Sequence, residues 1–177
     1  MNIAVFLSQY DVAGKYVGVV EDLGKRIAEG KHTLIFGGCN EGLMHVIAET
    51  VHDGGAKVIG VIRAPIAHKA YPDADEMYVV KDAHEMNVGL IDRADCIVVL
   101  AGGIGTLNEL TAIVRMKKNA EHDTKTVIVN TDGFYDGLKA QLERMHTEGF
   151  LREDVMQSVH FVSTPEEAIG YIEAHGN

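Results

Sequence analysis

Tryptophan is absent from the 177 residues, and only three prolines and two cysteines occur. Cys39 and Cys96 form no CxxC pair and offer no disulfide framework. Positive charge is also short, with 16 Lys and Arg against 26 Asp and Glu and a formal net charge of −10. Nucleic-acid binding rests on a basic footprint that such a chain lacks. A small phosphorylated ligand is not excluded, because backbone amides at a helix N-terminus hold phosphate whatever the overall charge. No segment approaches the ~18 apolar residues of a membrane helix. The start, MNIAVFLSQYD, has a short apolar run and no basic stretch, so it reads as a first strand and not as a signal peptide. The expectation is a cytoplasmic chain without a membrane partner.

Several reaction classes are missing as well. None of the nine histidines stands in an HxxxH or HExxH pattern, so no metal site is expected. There is no GxSxG elbow for a serine hydrolase. There is neither a GxxxxGK[ST] loop nor a GxGxxG followed by an acidic residue about twenty positions on, which disfavours a nucleoside triphosphatase or a dinucleotide enzyme. Nothing resembles a pyridoxal phosphate site built around a lysine.

What is present is an alternation of short β-branched runs and helical periods. Strands are expected at 3–7, 33–38, 57–62, 77–80, 96–100, 126–130 and 159–162, with 19 glycines available for turns. Between them, Val20, Leu23 and Ile27 share one helical face, as do Leu43, Ile47 and Val51. Residues 82–93 predict a further helix. Leu107, Leu110, Ile113 and Val114 point inward from a helix over 106–119, and Leu138, Leu142 and Met145 from one over 134–149. Thr164 and Pro165 open the last helix. Continuous apolar strands separated by helices predict a single α/β domain over 1–177: a three-layer, Rossmann-like fold with a mainly parallel sheet of about seven strands. Residues 63–76, with two of the three prolines, read as an excursion over the C-terminal edge of the sheet.

Ligands of such folds sit beyond the C-terminal strand ends. Three glycine-bearing turns lie there. Those after strands one and two bring Ser8 and Gly38 as candidate contacts. The third, AGGIGTLNE, has the form of a phosphate cradle. Gly102 and Gly103 permit a left-handed turn, Gly105 permits close approach, and the Thr106 hydroxyl can bond a phosphate oxygen. The amides of Gly105, Thr106 and Leu107 are expected to face outward. Thr106 and Glu109 also fit a capping box, with Thr106 as N-cap and Glu109 at N3. A carboxylate there could instead stand beside a ribose and stabilise an oxocarbenium ion or orient water. Glu41, beside Cys39 and Asn40 in the second turn, suits a helix start.

The segments GGCNEGLMHVIAE, GVI, LAGGIGTLNEL and NTDGFYDGL…EGF stand in the order and spacing of the Lonely Guy (LOG) family, which the chain resembles over nearly its whole length. The family signature PGGxGTxxE is matched from Gly102 to Glu109, with Ala101 in place of Pro. The resemblance implies a Rossmann-like homodimer without metal or organic cofactor. It implies cleavage of the N-glycosidic bond of a nucleoside 5′-monophosphate, AMP or an N6-substituted AMP, to free base and ribose 5-phosphate. Glu109 would be the catalytic carboxylate, and Gly102, Gly103, Gly105 and Thr106 the phosphate loop. His84 matches a family position and, with Met86, is a candidate nucleotide contact, the other reading of His84 being a partly buried histidine with one hydrogen bond. The family's arginine and lysine positions are Met86 and Asn87 here, and methionine supplies neither charge nor a bidentate donor. Arg63, Arg93 and Arg115 are the candidate substitutes. The alternatives are a nucleotide-binding or carrier protein that does not cleave, and a different glycosyl-transfer substrate such as a deoxynucleoside. Apolar residues on more than one side of the 106–119 helix, Met116 included, accord with the expected homodimer.

Overall fold

The computed structural model describes residues 1–118, 124–157 and 159–175. Seven parallel strands form one sheet: β1 (Asn2–Phe6), β2 (Thr33–Phe36), β3 (Val58–Arg63), β4 (Glu76–Val80), β5 (Cys96–Val99), β6 (Lys125–Val129) and β7 (Val159–Val162). Their order is β4-β3-β2-β1-β5-β6-β7. The chain builds outward from β1 to β4, returns to β5 on the other side of β1, and builds outward again. The reversal falls between β1 and β5, where a doubly wound sheet opens a crevice at its C-terminal edge.

The helices are α1 (Gly14–Glu29), α2 (Gly42–Asp53), α3 (Ala83–Ile91), α4 (Ile104–Lys118), α5 (Asp136–Thr147), α6 (Glu153–Gln157) and α7 (Pro165–His175). Successive residues of a strand face opposite sides, and β1 shows this plainly. Ile3, Val5 and Leu7 join a core with Leu23, Ile27, Ile47, Val51 and Ile172 from α1, α2 and α7. Ala4 and Phe6 join a second core with Leu90, Leu110 and Ile113 from α3 and α4. Each fully buried large apolar side chain is worth about 1.5–3 kcal/mol, so both helix layers are held firmly to the sheet.

Three expectations are corrected here. Met116 is buried in the second core, so it is already used within its own chain and does not stand on a free helix face. Met145 is exposed, and α5 has no buried residue. The helix expected over 134–149 starts only at Asp136, after a 3-10 turn at Thr131–Gly133, and the short α6 was not foreseen. At the last helix the Thr164 hydroxyl accepts from the Glu167 amide at 3.2 Å, a side-chain cap in front of Pro165.

Candidate active site

A cleft of about 410 Å³ opens at the C-terminal ends of β1, β2, β3 and β5. Leu7, Ser8, Gln9 and Tyr10 enter it from the turn after β1, and Gly37 and Met44 from the turn after β2 and from α2. Arg63 and Ile66 enter from the end of β3 and the excursion that follows. Ala83, Met86 and Asn87 come from the start of α3. Gly103, Ile104, Gly105, Thr106, Asn108 and Glu109 come from α4 and the turn before it.

The glycine turn is built differently from the expectation. None of Gly102, Gly103 and Gly105 has a positive φ. After β5 the chain crosses residues 100–103 and enters α4, which begins at Ile104, two residues early. The Leu107 amide already donates to the Gly103 carbonyl at 3.0 Å, so Leu107 is not one of the free donors. The open amides are those of Ile104, Gly105 and Thr106, the first helical positions. The glycines are needed for space. A Cβ on Gly102 would lie 2.2 Å from the Thr106 Oγ1, whereas nothing lies within 4 Å of one on Gly103 or Gly105. Gly102 therefore fits under Thr106, outside the cleft lining, and the other two leave room for a ligand. Gly102→Ala is expected to displace Thr106, costing about 1–3 kcal/mol of stability by overpacking. Thermal unfolding would show the loss, and an unchanged melting temperature would contradict the packing described.

The early helix start also removes the capping box from Thr106 and Glu109. With α4 beginning at Ile104, Thr106 lies inside the first turn and Glu109 one turn later. The Glu109 side chain is 7% exposed and has no hydrogen-bond partner among the described residues. Burial pushes its carboxyl up from the usual value to about 8. No other cause contributes, so no neighbouring cation holds it ionised. The reciprocal cap exists one helix earlier. The Asp82 carboxylate accepts from the amides of His84 and Glu85, at 2.9 and 3.0 Å, and the Glu85 carboxylate accepts from the Lys81 amide at 2.8 Å. Those amides hold the Asp82 carboxyl below its ordinary range. Beside Glu109, the buried Tyr135 hydroxyl donates to the Leu100 carbonyl at 2.7 Å, and burial raises its pKa.

Met86 and Met44 close over Gly37. A Cβ on Gly37 would lie 2.8 Å from the Met44 methyl and 3.2 Å from the Met86 methyl. This part of the cleft is therefore apolar where the resemblance put a guanidinium. Of the three candidate substitutes, Arg93 turns away, since it bonds the Gly89 carbonyl at 2.8 Å and stacks 3.9 Å over the Tyr78 ring. Arg115 is exposed on a separate hollow of about 330 Å³, shared with His84, Asn87 and Asn108. Arg63 alone of the three lines the cleft, and it has no ion pair among the described residues.

Ser8 lines the cleft, and its Oγ accepts from the Tyr10 amide at 3.0 Å. Gly38 does not line it. It adopts φ +71°, and a Cβ there would lie 3.0 Å from both the Ile62 Cβ and the Met77 sulfur. Gly37 takes its place at the cleft. His84 faces the separate hollow, in the first turn of α3 next to the Asp82 cap. Glu41 is the N-cap residue of α2 and makes no side-chain cap; it pairs with Lys69 at 2.8 Å, which lowers its pKa. That ion pair belongs to a strap. The Asn40 amide donates to the Lys69 carbonyl at 2.7 Å, and the Tyr71 amide donates to the Gly38 carbonyl at 2.9 Å. The strap ties the excursion after β3 to the second glycine turn and sets Arg63 and Ile66 at the cleft. Asn87 was seen only as a departure from the family pattern; it is 8% exposed, lines the cleft, and has no side-chain partner among the described residues. Gln9, Tyr10, Met44 and Ile66 went unnoticed as lining residues, because only the strand order brings their segments together.

Fold and cleft define a Rossmann-like α/β protein with a cleft at the sheet's switch point. Residues 44–172 match a family model described as "Possible lysine decarboxylase". A probable cytokinin riboside 5′-monophosphate phosphoribohydrolase of Oryza sativa subsp. japonica is 30% identical over 90% of this chain. The chain spans about two thirds of that relative, 66% of its length. A cytokinin riboside 5′-monophosphate phosphoribohydrolase of Arabidopsis thaliana is 29% identical over 98% of this chain and 82% of its own length. Among solved structures, the molybdenum cofactor binding protein of Rippkaea orientalis superposes with a TM-score of 0.75 at 20% identity, over 98% of this chain and 96% of that one. The chain belongs to the LOG family, whose model carries the lysine decarboxylase description. Its fold is the seven-stranded Rossmann-like fold shared with the structural neighbour. No lysine lines the cleft among the described residues, and no helix there is long and apolar enough to cross a membrane.

Proposed function

We propose that the cleft binds a nucleoside 5′-monophosphate and hydrolyses its N-glycosidic bond, releasing base and ribose 5-phosphate. The observation that carries this reading is Glu109: a buried carboxyl without a partner, facing the cleft one turn beyond the open amides of α4. The phosphate would sit on the amides of Ile104, Gly105 and Thr106, where the helix dipole favours negative charge. That places the ribose near Glu109. As the C1′–N bond breaks, its electron pair leaves with the base nitrogen, which takes up a proton from the solvent. Water adds to C1′ and gives its proton to the Glu109 carboxylate, which also stabilises the positive charge developing on the sugar. The role requires the ionised form, so turnover is expected to rise with pH through about 8. Incubation of the protein with AMP, N6-substituted AMP and GMP, with chromatography for free base, tests the reading. Absence of both base and ribose 5-phosphate at high enzyme concentration would overturn it.

A second reading is nucleotide binding without cleavage. Met86 in place of a guanidinium favours it, because Glu109 then stays protonated at neutral pH. The fold neighbour described as a molybdenum cofactor binding protein accords with a carrier role. This reading expects AMP to raise the melting temperature by mass action while remaining intact. Turnover that disappears in Glu109→Ala would exclude it. A homodimer belongs to both readings, and light scattering that reports a monomer would contradict it.

A further inference from the structure

We infer that Arg63 reads the base, and that the preferred ligand is a 6-oxopurine nucleotide, a guanine or hypoxanthine 5′-monophosphate, over a 6-aminopurine one. The inference rests on the nucleotide reading above. Arg63 is the last residue of β3, and the open amides of α4 follow β5. In the order β3-β2-β1-β5, three inter-strand spacings separate them, roughly 14 Å at about 4.8 Å each. A nucleotide anchored by its phosphate at α4 thus runs across the ends of β1 and β2 with its base toward β3.

The wall along that path suits a flat heterocycle. Leu7, Met44, Met86 and Ile66 give it apolar surface, and thioethers adapt to aromatic edges. At the far end stands the Arg63 guanidinium, without a hydrogen bond or ion pair among the described residues. The strap between residues 38–41 and 69–71 holds its segment in place. Within that strap Glu41 and Lys69 are paired with each other.

A guanidinium offers five donors in a fixed fork and no acceptor. O6 and N7 of a 6-oxopurine are two adjacent acceptors that match the fork. An adenine presents an N7 acceptor beside an N6 amino donor, which sets donor against donor. The amides suited to an adenine edge, Asn87 and Asn108, line the cleft from α3 and α4 and border the hollow beside α4 as well, whereas Arg63 stands at the end of β3. An unpaired fork at the base end therefore selects against an exocyclic amine.

Calorimetric titration of the full chain with GMP, IMP, AMP and ribose 5-phosphate tests this, using wild type and Arg63→Met, which keeps an apolar stem. GMP and IMP are expected to bind about tenfold or more tighter than AMP. In Arg63→Met that preference should vanish while ribose 5-phosphate affinity is unchanged. Circular dichroism melting confirms that the variant is folded. AMP binding as tightly as GMP to wild type would overturn the inference. So would an equal loss of GMP and ribose 5-phosphate in the variant, which would put the guanidinium on the phosphate. If none of the four compounds binds wild type, the nucleotide reading itself falls, and the inference with it.

Discussion

Glu109→Gln is expected to lower base release by about a thousandfold, within the range for loss of a positioned acid–base group, while leaving nucleotide affinity almost unchanged. The amide keeps the shape of the carboxyl but can neither take a proton from water nor balance a developing positive charge. The same variant is expected to change the pH dependence of stability. Glu109 titrates at about 8 in the folded chain because it is buried, and in the usual carboxylate range near 4.5 when unfolded. Between those values the folded state holds a proton that the unfolded state has lost. Stability therefore falls as pH rises, by about 1.4 kcal/mol per unit. Above about 8 both states are ionised and the loss levels off. The substituted amide cannot ionise, so the variant should match wild type near pH 5 and exceed it increasingly up to pH 8.5. Melting curves of both proteins across that range provide the check. A constant difference between them would mean that the carboxyl is ionised in the folded state and has a cation beside it.

Met86→Arg is the second large effect. It places a guanidinium in the apolar part of the cleft, at the position where the family carries one. An opposite charge within about 4–6 Å lowers a carboxyl pKa by about 1–3 units. At neutral pH the ionised fraction of Glu109 would then rise from about a tenth to a majority. Base release is expected to increase about tenfold near pH 7, and the midpoint of its pH profile to move down by about the same 1–3 units. The cost falls on packing, since Met86 lies against Gly37 beside Met44. Overpacking of this kind takes about 1–3 kcal/mol from stability. If wild type only binds nucleotide, the substitution should create turnover where there was none. An unmoved pH profile in a folded variant would show that residue 86 does not govern the charge on Glu109.

Most of the fold was legible because both of its signals are local. Runs such as IAVFL and CIVVL lie buried on both sheet faces and so need continuous apolar sequence. The helices between them needed one apolar stripe each, and Leu23 with Ile27, or Leu110 with Ile113, supplied it. The expectation failed where a helix packs little. The spacing of Leu138, Leu142 and Met145 is helical, yet α5 packs only Leu138, partly buried, against the second core and leaves Met145 exposed, because periodicity states which residues could share a face and not how far that face is covered.

The site was legible only in part. The segment from Gly102 to Glu109 gave itself away by its glycines and its place after a buried strand. Its chemistry did not follow from spacing. Thr106 and Glu109 fit a capping box by sequence, yet the reciprocal caps formed among the described residues are at Asp82 with Glu85 and at Thr164 with Glu167. The difference is where the helix begins, at Ile104 and two residues before Thr106.

By itself, then, the sequence determined the layers and the parallel sheet, because strand composition and helical period act over a few neighbouring residues. Only the tertiary structure decided the state of Glu109 and the neighbours it has. Its raised pKa arises from burial by segments distant in sequence, and the single cleft-lining arginine among the three candidates comes from the end of β3, brought there by strand order and by the strap from Gly38 to Tyr71. Desolvation and charge act through space, and a linear spacing cannot express them.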